Sequence, residues 1–172
     1  MTISAEPVEP RPAAPVRPTA AFMWPRLSRW IALGFGSGLS PWAPGTIGTL
    51  WAWAAWEVLS GWMSVPVLLW LVAAGFLVGI WACGRTADAL GVADHGGIVW
   101  DEIVAFWLVL AFAPPGFGAQ FAAFLLFRLF DITKPPPIRQ IDARVPGGFG
   151  VMLDDLLAAF YTLLVLALWR VW

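Results

Sequence analysis

The sequence predicts an all-α fold, a polytopic membrane bundle of about five short transmembrane or re-entrant helices with its motif loops on the cytoplasmic face. Three observations predict it. Of 172 residues, 60% are apolar and 12% charged, against about 45–50% and 25% in ordinary soluble domains. Long uncharged runs recur along the chain, separated by polar, turn-rich segments. Finally, a single threading through a bilayer leaves nine of the ten Lys and Arg on one side, as expected when cytoplasmic flanks collect positive charge. The mean hydropathy of +0.76 agrees. A net charge of −1 argues against a nucleic-acid partner, which would call for a basic patch. Cys83 is the sole cysteine, which excludes an internal disulfide and a multi-cysteine metal site. Disorder, a coiled coil and a secreted disulfide scaffold are excluded on the same grounds.

Residues 1–29 hold six of the fifteen prolines, four arginines and two glutamates. They are expected to form a disordered, solvated cytoplasmic tail, since no apolar stretch of a cleaved signal peptide occurs there. Residues 30–172 form the membrane-embedded domain. Within it, residues 31–56 are uncharged but carry five glycines and two prolines before Leu50, so only about residues 46–60 read as helix. Residues 58–84 are 27 uncharged positions, and residues 65–83 alone suffice for a span, which needs about 20. Residues 103–127 are 25 uncharged positions broken by Pro114-Pro115-Gly116-Phe117-Gly118, a turn signature that predicts a hairpin of two short helices. The last run, residues 156–169, is long enough only if its helix starts near Val151 and carries Asp154 and Asp155 in its first turn.

With the N-terminus inside, Arg11, Arg17, Arg26, Arg29, Arg85, Arg128, Lys134, Arg139 and Arg144 lie inside and Arg170 outside. The first crossing is short enough to be re-entrant. Tryptophans such as Trp62, Trp169 and Trp172 stand near predicted helix ends, where indoles sit at lipid headgroups.

This threading gathers residues 34–49, 85–102 and 131–155 at the inner face, with eight of the eleven acids: Asp88, Asp94, Asp101, Glu102, Asp131, Asp142, Asp154 and Asp155. Acids at helix starts stabilise the helix dipole, and Asp131 can pair with Arg128 one turn away. Capping accounts for Asp88 and Asp94 but poorly for the set. Helix neighbours point about 100° apart, so Asp101-Glu102 and Asp154-Asp155 each aim acids in two directions, whereas a cap needs one. Carboxylates at the edge of hydrocarbon face a partner, a cavity or a cation, and converging hard oxygens suit Mg²⁺. The candidate metal ligands are Asp101, Glu102, Asp131, Asp154 and Asp155.

Lys134 is the only lysine. Three prolines follow it and should form a stiff, extended connector that holds Lys134 and Arg139 at fixed separation beside Asp131. Such a pair of cations suits a phosphate ester; otherwise it is a positive-inside flank. The segment from Gly34 to Thr49 is rich in glycine and can offer backbone N–H groups to an anion, which makes Ser37, Ser40, Thr46 and Thr49 candidate substrate-binding residues. Its glycines could equally serve close helix packing. His95 is the only histidine, a candidate acid or base or else a turn residue. No Gly-x-Ser-x-Gly elbow occurs, and Cys83-Gly84-Arg85 lacks the loop of a cysteine phosphatase, so the chemistry expected is metal-assisted.

Four blocks carry a family resemblance. Gly34-Phe-Gly-Ser-Gly-Leu-Ser-Pro with Pro44-Gly-Thr-Ile-Gly, then Asp94-His-Gly-Gly-Ile-Val-Trp-Asp-Glu, then Phe127-Arg-Leu-Phe-Asp-Ile-Thr-Lys-Pro-Pro-Pro-Ile-Arg, and Gly147-Gly-Phe-Gly-Val-Met-Leu-Asp-Asp resemble the phosphatidylglycerophosphatase A family over residues 33–159. The resemblance implies a bacterial inner-membrane, Mg²⁺-dependent phosphatase that converts phosphatidylglycerophosphate to phosphatidylglycerol in phospholipid biosynthesis, with its active site facing the cytoplasm. Asp101, Glu102, Asp131, Asp154, Asp155 and His95 would then be catalytic, with water preferred over an aspartate as nucleophile, and Lys134 and Arg139 would stabilise phosphoryl charge. Two alternatives compete. A cation-coupled transporter would place its acids near the membrane midplane, and a CDP-alcohol phosphotransferase would carry aspartates four apart, whereas Asp154 and Asp155 are adjacent.

Overall fold

A computed structural model describes residues 17–92 and 95–171. Among the described residues all regular structure is helical: α1 (Ala20–Met23), α2 (Leu27–Ala32), a 3-10 stretch (Gly34–Leu39), α3 (Pro44–Ser60), α4 (Val65–Leu90), α5 (Trp100–Phe112), α6 (Phe117–Thr133), α7 (Ile138–Asp142) and α8 (Gly147–Val171). Asp94, Trp172 and the first part of the tail, residues 1–16, lie outside the described residues. The rest of the expected tail departs from a solvated coil, because α1 and the start of α2 fall within it and Met23 is buried.

Helix α5 is the axis of the bundle. Every residue from Trp100 to Trp107 is buried, with α3, α4, α6 and α8 packed around it. Two indoles on it are sewn to neighbouring backbones: Trp100 Nε1–H donates to the Gly75 carbonyl and Trp107 Nε1–H to the Ala52 carbonyl, each at 2.9 Å. A helical carbonyl has a second lone pair for this purpose. Such bonds matter most where no water competes. The turn at Pro114-Pro115 splits α5 from α6 as the hairpin expectation requires. Across that hairpin Trp53 of α3 stacks on Phe117, Phe121 and Phe124 and donates to Gln120 Oε1 at 2.8 Å.

Helices α4 and α8 meet through glycine. A Cβ on Gly148 would collide with the Ile80 carbonyl and the Gly84 nitrogen, and one on Gly79 with the Met152 side chain, so backbones approach as closely as small residues allow. This contact also corrects the expected start of α8. The helix begins at Gly147 rather than near Val151, because Gly147 takes a positive φ of 75° and Gly148 seats the first turn against α4. Asp154 and Asp155 therefore stand two turns inside the helix, and its first turn holds no acid.

By length and composition, Val65–Leu90 and Gly147–Trp169 are the helices able to cross a membrane. α3, α5 and α6, at 17, 13 and 17 residues, are shorter than the roughly 20-residue span. α4 leaves Val67, Trp70, Leu71, Leu77 and Val78 exposed, an apolar face of the kind that marks contact with a membrane or another protein surface. Trp62 and Trp169, placed at helix ends by the sequence, are both exposed.

Candidate active site

The site is assembled from the starts of α5 and α3, the middle of α8, and the end of α6. Asp101 and Glu102 occupy the first turn of α5, where the helix dipole favours them. That argument is unavailable to Asp154 and Asp155, which are nonetheless buried. Asp101, Glu102 and Asp155 each bring one carboxylate oxygen within 4.8 Å of the others. Asp101 and Asp154 each accept a bond from the next residue's backbone N–H at 3.0 Å, fixing their carboxylates against their own helices.

Of the five candidate ligands, these three converge, and the other two each meet a cation. Asp154 Oδ2 lies 2.5 Å from Lys134 Nζ, which also reaches Asp142 at 3.1 Å. Asp131 Oδ2 lies 2.5 Å from Arg128 one turn back, as the capping alternative anticipated, and its carboxylate also neighbours Asp155. The divergence of adjacent residues on a helix accounts for this split. Asp155 turns to the cluster and Asp154 to Lys134.

Arg128 is the residue sequence reasoning underrated. Its guanidinium meets Glu102 Oε1 and Thr49 Oγ1, each at 3.4 Å, besides Asp131, so one planar group ties α3, α5 and α6. The available signal was an arginine directly after 25 uncharged residues, three positions before an aspartate.

The glycine-rich segment acts mainly through packing. The N–H groups of Gly36 and Gly38 both donate to the Leu33 carbonyl, and that of Ser40 to Ser37. Ser37 Oγ donates to the Gly34 carbonyl and Ser40 Oγ to the Trp42 carbonyl. Thr49 donates to the Gly45 carbonyl while facing Arg128, and Thr46 stands half-buried in the first turn of α3. Gly45 is the decisive glycine: a Cβ there would strike Glu102 Oε1 and crowd the Arg128 guanidinium. A Cβ on Gly48 would likewise press on Val99, at 2.8 Å.

His95 is buried in a turn, its Nδ1 accepting from the Gly97 N–H at 3.0 Å, and it is not among the three grouped carboxylates. It lines a separate cavity of about 340 Å³ with Arg17, Ser40 and Pro44. The triple proline is a turn rather than an extended connector, because the Ile138 N–H closes on the Pro135 carbonyl at 2.8 Å and α7 starts at once. Ile138 faces the core and Arg139 faces outward, exposed.

The donor set suits a hard divalent cation. All three grouped ligands are carboxylates, which Mg²⁺ prefers, and five buried or half-buried acids gather here, three of them paired with Arg128 or Lys134. Excess negative charge in a region of low dielectric is relieved by a bound cation or by protonation, and the three converging carboxylates offer a place for the cation.

A family model described as Phosphatidylglycerophosphatase A matches residues 30–170. The chain is 46% identical over 144 residues to the Phosphatidylglycerophosphatase A of Haemophilus influenzae, covering 83% of this chain and 88% of that protein. It is 43% identical over 131 residues to the protein of that name from Escherichia coli, covering 74% of each. It is also 40% identical over 147 residues to a Bacteroides thetaiotaomicron protein named "Putative phosphatidylinositol-3-phosphatase", covering 81% of this chain and 91% of that one. No solved structure matches. With a match spanning most of its length and relatives above 40% identity, the chain belongs to the phosphatidylglycerophosphatase A family and is a phosphoric monoester hydrolase.

Proposed function

We propose that this protein hydrolyses phosphatidylglycerophosphate to phosphatidylglycerol and phosphate in phospholipid biosynthesis, at the cytoplasmic face of the bacterial inner membrane, with Mg²⁺ bound by Asp101, Glu102 and Asp155. The observation that carries this reading is the buried group of three carboxylates in a chain of this family. When bound, Mg²⁺ supplies a Lewis acid for the phosphoryl oxygens and lowers the pKa of a water that can attack phosphorus.

The chain's own residues do the rest. Arg128 holds Glu102 and Asp131 in place and contributes positive charge beside the phosphoryl group. Lys134, fixed between Asp154 and Asp142, stabilises charge on the equatorial oxygens. A fixed donor of this sort needs no reorganisation during reaction. Arg139, exposed on α7, meets the headgroup as it enters, Thr46 lines the approach along α3, and the buried Thr49 steadies Arg128. Ser37, Ser40 and His95 order their own turns, Ser40 and His95 beside the separate cavity. Asp131 and Asp154 act by positioning the two cations.

The lipid passes in from the bilayer along the exposed apolar faces of α4 and α8, so the phosphomonoester reaches the carboxylates while the acyl chains stay in hydrocarbon. The test is phosphate release from phosphatidylglycerophosphate by purified protein with and without Mg²⁺. Because one relative is named "Putative phosphatidylinositol-3-phosphatase", phosphatidylinositol-3-phosphate is chosen as the comparison substrate. Both are phosphomonoesters on a polyol headgroup.

A further inference from the structure

We infer that the cavity at the cytoplasmic end of α4, lined by Arg26, Arg29, Arg85 and Trp81, is a binding site for the phosphate of an anionic phospholipid, distinct from the active site. It rests on the reading that α4 crosses the membrane. The cavity, of about 560 Å³, lies between α2 and the last turns of α4 and contains a single acid, Asp88, against three arginines.

Arg85 points away from the carboxylates. Cys83, two residues earlier, is fully buried against Met152 of α8, and residues two apart on a helix face roughly opposite ways. The arginines therefore serve something other than the phosphoryl chemistry.

The pocket is set before any ligand arrives. Arg29 donates to the Phe22 carbonyl at 2.8 Å and its guanidinium lies 3.9 Å over the Phe22 ring, so α1 and α2 hold it in place. Arg26 and Arg85 are exposed at the rim, free to fork onto phosphate oxygens in the bidentate way that suits guanidinium.

The surroundings identify a lipid as the source of the phosphate. Trp81 lies one helical turn from Arg85 on the same face and is 48% exposed, an arrangement that marks the headgroup level of a bilayer. Leu27, which lines the pocket, is 67% exposed, apolar surface with acyl chains as its natural cover. A phosphate in the plane of those side chains belongs to a lipid of the same leaflet. A free anion would have no use for them.

The test is calorimetric titration of the purified full chain in detergent with dioctanoyl phosphatidylserine, dioctanoyl phosphatidylcholine and inorganic phosphate. The parent should bind the anionic lipid and neither of the others over the same range. Arg26→Gln/Arg85→Gln should weaken that binding about 30-fold, as loss of two surface arginines near lipid phosphate implies. Arg26→Lys/Arg85→Lys should recover most of it, which separates lost charge from lost folding. Asp155→Asn should leave it intact, because the active site is elsewhere. The readout is binding rather than turnover, so failure of the phosphatase reading would not move it. Unchanged binding in the Gln variant, loss in Asp155→Asn, or equal binding of inorganic phosphate would each overturn the inference.

Discussion

Lys134 Nζ and Asp154 Oδ2 lie 2.5 Å apart, joining the end of α6 to the middle of α8. Lys134 caps α6 in the left-handed region, with φ of 40°, and that turn of the chain carries its ammonium back over the site. Asp154 is 5% exposed, so removing Lys134 takes a counter-charge from a buried carboxylate, where breaking a pair costs about 3–5 kcal/mol, whereas removing Asp154 leaves Lys134 beside Asp142 and costs less. Lys134→Ala and Asp154→Ala should each lower stability and kcat, and the double variant should cost clearly less than their sum. Thermal unfolding and turnover of all three check this. Lys134→Arg, which keeps the charge but replaces a compact ammonium with a planar fork, should insert normally and turn over more slowly; wild-type kinetics for both Lys134 variants would remove Lys134 from the site.

Gly45 offers a test that removes no charged group. Gly45→Ala forces Glu102 and Arg128 to move, and a displacement of that order at a reacting centre costs about 10²-fold in rate. Gly61→Ala, where a Cβ would make only ordinary van der Waals contacts at 3.5 Å and beyond, should leave turnover unchanged. Steady-state turnover, with helix content checked by circular dichroism, separates the two.

Arg128→Lys should lower kcat although charge is conserved. A lysine can meet one of Asp131, Glu102 and Thr49 well, but not all three from one rigid plane. A kcat equal to the parent's would show that charge alone suffices there.

Membrane orientation is open to labelling. With the loops near Arg85 and Lys134 inside, Gly116→Cys at the α5–α6 turn should react with an impermeant thiol reagent in intact cells, and Arg144→Cys should not. Cys83 is buried and should stay silent. The reverse pattern would mean an inverted protein.

Much of this was legible in the sequence, for physical reasons. Uncharged runs and the Pro114-Pro115 break mark helices because hydrocarbon tolerates neither charge nor an unsatisfied backbone. The acids that come together were visible as costly residues at the ends of apolar runs. Which member of each adjacent pair faces the cluster was not, because that depends on the rotation of α5 and α8, set by contacts such as Gly148 on Ile80 and Trp100 on Gly75. The start of α8 was misjudged for the same reason, since Gly147 reads locally as a breaker and only the close approach of α4 makes it a helix start. The proline turn after Lys134 likewise depends on Ile138 being drawn into the core.

The central claim is that Asp101, Glu102 and Asp155 together hold the divalent cation on which turnover depends. The most direct measurement is phosphate release from phosphatidylglycerophosphate as Mg²⁺ is titrated, for the parent and for Asp101→Asn, Glu102→Gln and Asp155→Asn at equal protein. The account predicts no release in chelator, saturable recovery with Mg²⁺ in the parent, and a loss of at least about 10²-fold in each variant, of the size seen when one element of charge stabilisation is removed, while Asp88→Asn stays near the parent. Full release in chelator, or parental turnover in these three variants, would contradict it.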